Sequence, residues 1–240
     1  TDSELRVKEN NIKVTEVIAL KILSDLKSLS NDAKIMASSI SGKKSSSVKK
    51  TVFETEKDIL FIGTFSKDGS DLSFGNTIYN SVFLDDTGIE SSDIDKSIRN
   101  NSKFFLKSFQ GIMTIQNLSL GFEIPLIGIS FPKSVSSDEI IILVVKMEHI
   151  QNAFQTSGIT ETFMVNSEGI VIAHPDPNVV KSGTKFLDLP IVKAMFISPI
   201  DNGQTRYKHN DTYYLGSFKK LGITQAGIIS TVSEDRAFEE

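Results

Sequence analysis

Residues 163–177 read FMVNSEGIVIAHPDP, in which two short apolar runs lie on either side of a polar turn. The turn runs from Asn166 to Gly169, and glycine readily takes the positive φ that a tight turn requires. The second run ends at His174, and the proline that follows has no N–H to donate to a neighbouring strand. The stretch therefore predicts a β-hairpin, and strands joined by tight turns indicate antiparallel sheets.

The same stretch contains three ionisable or metal-capable side chains, those of Glu168, His174 and Asp176. A zinc site needs three or four ligands on a rigid frame, and neither His149 nor His209 lies at short ligand spacing from His174. No nucleophile elbow, phosphate-binding loop or dinucleotide fingerprint occurs elsewhere in the chain. We therefore interpret the three side chains as strand and turn residues, and we expect no catalytic site, no metal and no cofactor.

The composition excludes several classes of protein. The chain has 240 residues, a net charge of -4 and no cysteine. Without a strongly basic segment it lacks the signature of a nucleic-acid binder, and without cysteine it has no disulfides, thiolate metal sites or cysteine catalysis. No apolar run approaches the ~20 residues that span a bilayer. Because both termini look like cuts through helical sequence, we expect a segment of a longer protein whose membrane anchors lie outside it.

Apolar residues spaced by three or four predict a long helix over residues 1–41, which ends before Gly42. At ~1.5 Å per residue this rod measures roughly 60 Å, which is long for a compact domain. Its apolar face either packs wholly against the rest of the chain or partly forms a homodimer. Leu5, Ile12 and Val17 are the candidates for such a symmetric contact.

Two rounds of helices and strands follow the long helix. Residues 42–158 mix helices with strands, and EIIILVVKM at 139–147 has the β-branched content of a buried strand. Residues 159–232 form a shorter round of two strands, a helix and three strands, and residues 233–240 begin another helix. The sequence therefore predicts an α+β fold, in which each of two modules is an antiparallel sheet with flanking helices.

Three segments of the second round share a pattern with a known family: TFMVNSEGIVIAHPDPNVV, GTKFLDLPIVKAM and GQTRYKHNDTYYLGSFKKLGITQAGIIS. They resemble the membrane-proximal module of bacterial double Cache (dCache) sensor domains. The first round is similar to the membrane-distal module, more loosely, through NNSKFFLKSFQG, GFEIPLIGISFP and EIIILVVKMEHIQNAF. The resemblance implies two stacked PAS-like modules along the long helix, the distal one over residues 42–158 and the proximal one over residues 159–232.

This resemblance implies a function. The chain is expected to be the extracytoplasmic, periplasmic region of an inner-membrane receptor, with a small-molecule ligand in the distal module and an unknown cytoplasmic output such as a chemoreceptor, histidine kinase or cyclase. The alternative is a structural, dimerisation or partner-protein-binding module that has no small-molecule ligand of its own. Neither expectation includes an enzymatic activity.

The ligand site is expected around the helix that contains NNSKFFLKSFQG. Amino-acid-binding members of the family carry an arginine and a Trp-Tyr pair there, and a downstream aspartate. Here Lys103 stands in the place of the arginine and the chain has no tryptophan, which argues against the standard amino-acid mode. A carboxylate held by lysine, or a mostly apolar ligand, remains open, as does a solvated lysine beside core phenylalanines. The candidate ligand-binding residues are Lys103, Phe104, Phe105, Tyr79, Phe122 and Glu123.

Overall fold

The computed structural model of the chain describes residues 2–40, 51–146, 148–155 and 158–238. Its α-helices are α1 (Asp2–Ile40), α2 (residues 51–55), α3 (Ser81–Thr87), α4 (Ser91–Asn100), α5 (Ser102–Phe105), α6 (Glu148–Gln151), α7 (Pro177–Lys181), α8 (Pro190–Ile197) and α9 (Glu234–Ala237). Short 3₁₀ helices follow α5 at Leu106–Gln110 and α6 at Asn152–Phe154. The predicted ends of the first helix, residues 1 and 41, lie outside the described residues, as do residues 239 and 240 of the last predicted segment.

The strands form two separate sheets, in which every pairing of strands is antiparallel. They are β1 (Ile59–Asp68), β2 (Asp71–Tyr79), β3 (Thr114–Asn117), β4 (Leu126–Pro132), β5 (Glu139–Lys146), β6 (Glu161–Val165), β7 (Val171–Ala173), β8 (Asn202–His209), β9 (Thr212–Leu221) and β10 (Ala226–Ser233). The first sheet has the order β2-β1-β5-β4-β3 and the second has the order β7-β6-β10-β9-β8. The predicted α+β fold, a long helix followed by two antiparallel sheets with flanking helices, is confirmed.

The chain divides into two compact units. The first module, as we call it here, comprises Leu26–Met147, and the second module comprises Thr1–Asp25 together with Glu148–Glu240. The long helix therefore contributes one part to each module. This division differs from the one predicted from the sequence at residues 148–158, which the sequence analysis assigns to the first round. Within this segment Phe154 is 1% exposed and the side chain of Gln151 accepts a hydrogen bond from the backbone of His174, so its contacts are with the second module.

The sheet of the first module has a central strand, β5, that is buried along almost its whole length. Alternate residues of a strand point to opposite faces of a sheet. Ile140, Ile142 and Val144 point to the face that packs against α4 and α5, where they share one hydrophobic cluster with Ile94 and Phe105. The residues between them point to the opposite face. Because both faces are covered, β5 is apolar from Ile140 to Val145, as the sequence predicted.

The second module is built in the same way around β10, which is buried from Ala226 to Val232. One face of its sheet forms a cluster in which Phe163, Phe218 and Ile229 pack against Ile191 and Met195 of α8. The other face contains polar side chains that meet α1. Each module therefore has its own core.

The hairpin predicted at residues 163–177 is present as β6 and β7. Gly169 has a φ of 75°, and its N–H donates to the carbonyl oxygen of Asn166 at 3.0 Å. The side-chain oxygen of Asn166 accepts hydrogen bonds from the N–H groups of Glu168 and Ile170. Asn166 therefore fixes the turn through its own side chain, which explains why an asparagine precedes the glycine.

Buried hydrogen bonds attach α1 to the second sheet. Asn11 is 1% exposed, and its Nδ2 donates to the carbonyl oxygens of Leu215 and Ser230, each at 3.2 Å. One turn further on, the hydroxyl of Thr15 lies 2.6 Å from the hydroxyl of Ser217. Hydrogen bonds have a required direction and length, so these contacts set the position of this part of the helix along the sheet. Within the described residues, no helix combines the length and the hydropathy needed to cross a bilayer.

Asn11→Ala is expected to lower the free energy of unfolding by about 1 to 3 kcal/mol, because two buried carbonyl groups lose their donor. Asn10→Ala is the matched control, since Asn10 is exposed on the same helix and the change in helix propensity is the same. Urea unfolding of both variants followed by circular dichroism measures the difference. Equal stability of the two variants would show that these hydrogen bonds do not contribute.

Candidate functional site

The first module contains a cavity of about 690 Å³ at one end of its sheet. Strand β1 begins at this end, and β2 and β5 finish there, because Phe61 pairs with Tyr79 and Ile59 pairs with Val145. The ends of α2 and the first turn of α3 complete the walls. The lining residues are Phe53, Glu54, Lys57, Tyr79, Asn80, Ser81, Val82, Phe83, Asp86 and Lys146.

Asn80 fixes the turn between β2 and α3 beside this cavity. Its N–H donates to the carbonyl oxygen of Leu60 at 2.8 Å, and its Nδ2 donates to that of Ile59 at 3.3 Å. Its Oδ1 accepts from the N–H of Phe83, which makes Asn80 the N-cap of α3. The side-chain amide of Asn80 therefore makes hydrogen bonds within the protein through both its nitrogen and its oxygen, and it sets the position of Phe83 beside the cavity.

Lys146 is the most buried charged side chain in the lining. Its side chain is 24% exposed, whereas Glu54, Lys57 and Asp86 are exposed. The Nζ of Lys146 lies 3.7 Å from Oδ1 of Asp58 and 5.1 Å from the ring centroid of Phe83. A separation of 3.7 Å is too long for a hydrogen bond. Asp58 is therefore an ion-pair partner of Lys146 but does not accept a hydrogen bond from it.

Tyr79 connects the cavity to α4. Its ring lies 5.1 Å from the ring of Phe61, and its hydroxyl donates to the carboxylate of Asp95 in α4. Burial raises the pKa of Tyr79 well above its ordinary value, and the hydrogen bond to Asp95 raises it further. The hydroxyl is therefore protonated, and its oxygen retains lone pairs that can accept a hydrogen bond from a ligand.

The six candidate residues from the sequence fall into two environments. Phe104 and Phe105 are 5% and 0% exposed within the core cluster, and Tyr79 and Phe122 pack against that cluster while half-buried. Lys103 and Glu123 are exposed. The structure thus brings the four aromatic rings into one cluster, and Tyr79 is the member of the set that also lines the cavity.

The protein's own aromatic rings lie directly on the sheet where the sequence places the ligand. A Cβ atom added at Gly128 would lie 2.7 Å from the ring of Phe105, and one added at Gly63 would lie 2.6 Å from the ring of Phe61 and 2.8 Å from that of Phe65. Real Cβ atoms do not approach other atoms so closely. These glycines therefore let the rings reach the backbone, and this part of the sheet face is filled by side chains.

In the second module, the polar side chains of the hairpin are engaged in local structure. His174 is 7% exposed, and its Nδ1 accepts a hydrogen bond from the N–H of Asp176 at 2.9 Å. Its Nε2 lies 3.3 Å from Oε1 of Glu161, and its ring lies beside those of Phe163 and Phe186. The carboxylate of Asp176 in turn caps α7. These contacts engage His174 and Asp176 in local structure, in agreement with their interpretation as strand and turn residues. The described residues contain no group of three or more His, Cys, Asp or Glu that could hold a metal, and the absence of a catalytic or metal site stays a prediction.

Stability at acidic pH is expected to depend on Glu161. The hydrogen bond from His174 holds the pKa of the Glu161 carboxyl below its ordinary value of 4.5, and the positive charge of Arg236 acts in the same direction while Asp176 opposes it. A lowered folded-state pKa contributes stability that is present above the ordinary pKa and is lost as the pH falls through the folded value.

Glu161→Gln is therefore expected to be less stable than the native chain near neutral pH, with a difference that shrinks below about pH 4. Urea unfolding over a pH series measures this, with Glu9→Gln, an exposed carboxylate of α1, as the control. A difference that does not change with pH would mean that the charge of the Glu161 carboxylate is not the source of the stability.

Several solved structures share the architecture of the whole chain. The ligand-binding domain of Mlp24 with asparagine is 18% identical over 99% of this chain and 96% of that chain, with a TM-score of 0.60. The ligand-binding domain of the Pseudomonas aeruginosa amino acid chemoreceptor PctB, in complex with L-Arg, is 12% identical over 98% of both chains, with a TM-score of 0.65. The sensory domain of the Campylobacter jejuni chemoreceptor Tlp3 is 12% identical over 99% of this chain and 97% of that chain, with a TM-score of 0.60.

The chain has the fold of a double Cache sensory domain. The likeness extends over nearly the full length of these structures, which confirms the resemblance drawn from the sequence. No protein-family model matches the chain, and no curated protein matches it in sequence. At 12 to 18% identity the likeness to the solved double Cache domains establishes the fold and leaves the ligand to be argued from this chain's own residues.

Sequence analysis missed most of the residues around the cavity. Lys146 lies within the buried strand that the sequence predicts at residues 139–147, and no motif marks Phe53 or Phe83. The sequence offers one signal, which is that a charged residue, Lys146, directly follows the apolar run of residues 140–145. A lysine in that position is half-buried by its neighbours, which periodicity alone does not reveal.

Proposed function

We propose that the chain is the extracytoplasmic, small-molecule-sensing region of a bacterial transmembrane receptor, located in the periplasm, with its ligand in the first module. The observation that carries this proposal is a cavity of about 690 Å³, lined by aromatic and charged residues, in a chain with a double Cache sensory fold. Ligand sites in proteins have volumes of about 300 to 1,000 Å³, so the cavity is large enough for a small organic molecule. That the chain is not an enzyme stays a prediction.

Transmission of the signal would use contacts within the second module. Arg206 of β8 makes two hydrogen bonds to Glu234 of α9, of 2.5 and 2.9 Å, and its guanidinium lies 3.8 Å from the ring centroid of Tyr213. On the same strand, Gln204 donates to the carbonyl oxygen of Lys8 in α1 at 3.1 Å. Strand β8 therefore contacts both the beginning and the end of the described chain. In this proposal a shift of roughly 1–2 Å between these two ends biases an output module beyond them.

A stabilising ligand tests the sensing proposal. Thermal-shift screening with small carboxylates, amines and nucleobases is expected to find a compound that raises the melting temperature. At ~100 times its Kd, a ligand that binds only the folded state adds ~2.7 kcal/mol to the free energy of unfolding. A compound found in this way is then titrated by isothermal calorimetry. If the library gives no binder at millimolar concentration, the sensing proposal fails.

A second candidate function is supported by exposed apolar residues on α1. Leu5, Ile12 and Val17 are 59%, 38% and 58% exposed, as expected if this part of the helix meets a second copy of the chain. In that case the region acts as a dimerisation or partner-binding module, and the filled sheet face of the first module supports a structural role. The alternative needs no small-molecule ligand.

The double variant Leu5→Lys and Val17→Lys is expected to shift the chain from dimer to monomer, because two charges then enter the symmetric contact. Sedimentation velocity over a concentration series measures the change. Ile197→Lys is the matched control, since Ile197 is 83% exposed on α8. A native chain that sediments as a monomer at every concentration would contradict the dimer.

A further inference from the structure

We propose that the cavity at the end of the first sheet binds an organic monocarboxylate with an apolar or aromatic body, and that Lys146 holds its carboxylate. This inference rests on the proposed sensing function and deepens it, because it names the class of ligand and the residues that recognise it. It moves the site away from Lys103, the cation that the sequence suggested.

The cavity at the end of the sheet is a better-formed ligand site than the face of the sheet. The rings of Phe61, Phe65 and Phe105 approach Gly63 and Gly128 so closely that a methyl group would not fit between them and the backbone. A ligand on that face would have to displace fully buried aromatic rings from the core. The end cavity already provides about 690 Å³ without any such movement.

Lys146 supplies the positive charge that a carboxylate requires. Three-quarters of its side chain is removed from solvent, and its nearest acidic neighbour, Asp58, lies at 3.7 Å with a side chain that is 43% exposed. A mostly buried ammonium group is stabilised by close acceptors, and a ligand carboxylate entering the cavity provides them. The strength of such a bond is greatest where water is excluded, which favours Lys146 over the exposed Lys57 and Lys103.

The other residues that line the cavity indicate the chemistry of the part of the ligand beyond its carboxylate. Phe53, Tyr79 and Phe83 form aromatic walls, which favour an apolar or aromatic body. Glu54 and Asp86 also line the cavity and are exposed, so a second acidic group on the ligand would meet like charge. An α-ammonium group would gain little, because ion pairs with exposed carboxylates are weak. The lining therefore fits one carboxylate on an apolar body better than a dicarboxylate or a free amine.

Binding of 3-phenylpropionate tests the proposal, with 3-phenylpropionamide as a neutral probe of the same size and phenethylamine as a slightly smaller cationic probe. Isothermal calorimetry is expected to show binding of the carboxylate and at least roughly ten-fold weaker binding of the amide and of the amine, because each lacks the charge that pairs with Lys146. Stronger binding of the amine would overturn the assignment of the ligand class.

Variants of two lysines then place the site. Lys146→Met removes the ammonium group that lies over the ring of Phe83 and keeps an unbranched apolar side chain, and it is expected to weaken 3-phenylpropionate binding by about ten- to hundred-fold. Lys103→Met is the matched control and is expected to leave the affinity unchanged. Asp58→Asn removes the competing carboxylate and is expected to tighten binding by roughly two- to five-fold. Circular dichroism and thermal melting establish that each variant is folded.

Blocking the cavity gives an independent readout if Lys146→Met does not fold. Ser81 is exposed in the first turn of α3 and lines the cavity, so Ser81→Trp is expected to fold and to abolish binding. Loss of binding in Lys103→Met with full binding in both Lys146→Met and Ser81→Trp would overturn this site and leave sensing by the first module intact. Failure of every small molecule to bind the native chain would overturn the sensing function itself.

Discussion

Each module of this protein depends on a central strand that is buried on both faces. In β5 and β10 almost every side chain is removed from water, on whichever face of the sheet it lies. Such a strand is stable only if both faces of its sheet are covered, since apolar area left in water costs about 25 cal/mol per Å². Short helices cover one face in each module, and residues of α1 face the other.

The two faces are joined to their helices by different kinds of contact. The faces that meet the short helices are apolar, so their packing is stabilised by burial, which has no preferred direction. The second sheet meets α1 through Asn11, Thr15 and Ser217, whose hydrogen bonds fix one position of the helix. In the first module, the buried residues of α1 are Leu26, Ser30, Ala33, Met36 and Ala37, and the Nζ of Lys34 lies 5.6 Å from the ring centroid of Phe131. The helix is therefore held by buried hydrogen bonds as well as the apolar residues Ala19 and Ile22 in the second module, and mainly by apolar packing in the first.

Local patterns were sufficient to predict the elements of the fold. The Asn-x-x-Gly turn at Asn166 and the run of apolar residues in β5 have structural causes that act over a few residues, so both were predicted correctly. Strand β2 is harder to recognise in the sequence because it is an edge strand, in which only Leu72 and Ile78 are buried. Edge strands expose polar side chains on both faces, which removes the alternation that identifies a strand.

The candidate site was harder to predict, because it depends on which lysine is buried. Lys103 precedes two phenylalanines in the sequence whereas Lys146 follows an apolar run, and neither context reveals how far the lysine is buried. The difference arises from tertiary packing, since Lys146 is the last residue of a central strand and its Nζ lies over the ring of Phe83. Phe83 is 63 positions earlier in the chain, and its N–H donates to the side chain of Asn80. Contacts over such distances are decided by the assembled sheet.

The discontinuity of the second module has a consequence for synthesis. Asn11 is translated 219 residues before Ser230, whose carbonyl oxygen accepts its hydrogen bond. At ~5–20 residues per second, that acceptor is made roughly 10 to 45 seconds later. The first module is continuous in sequence from Leu26 to Met147 and is completed in the meantime. The first turns of α1 therefore lack the acceptors and hydroxyls that their polar side chains bind until β9 and β10 have been translated.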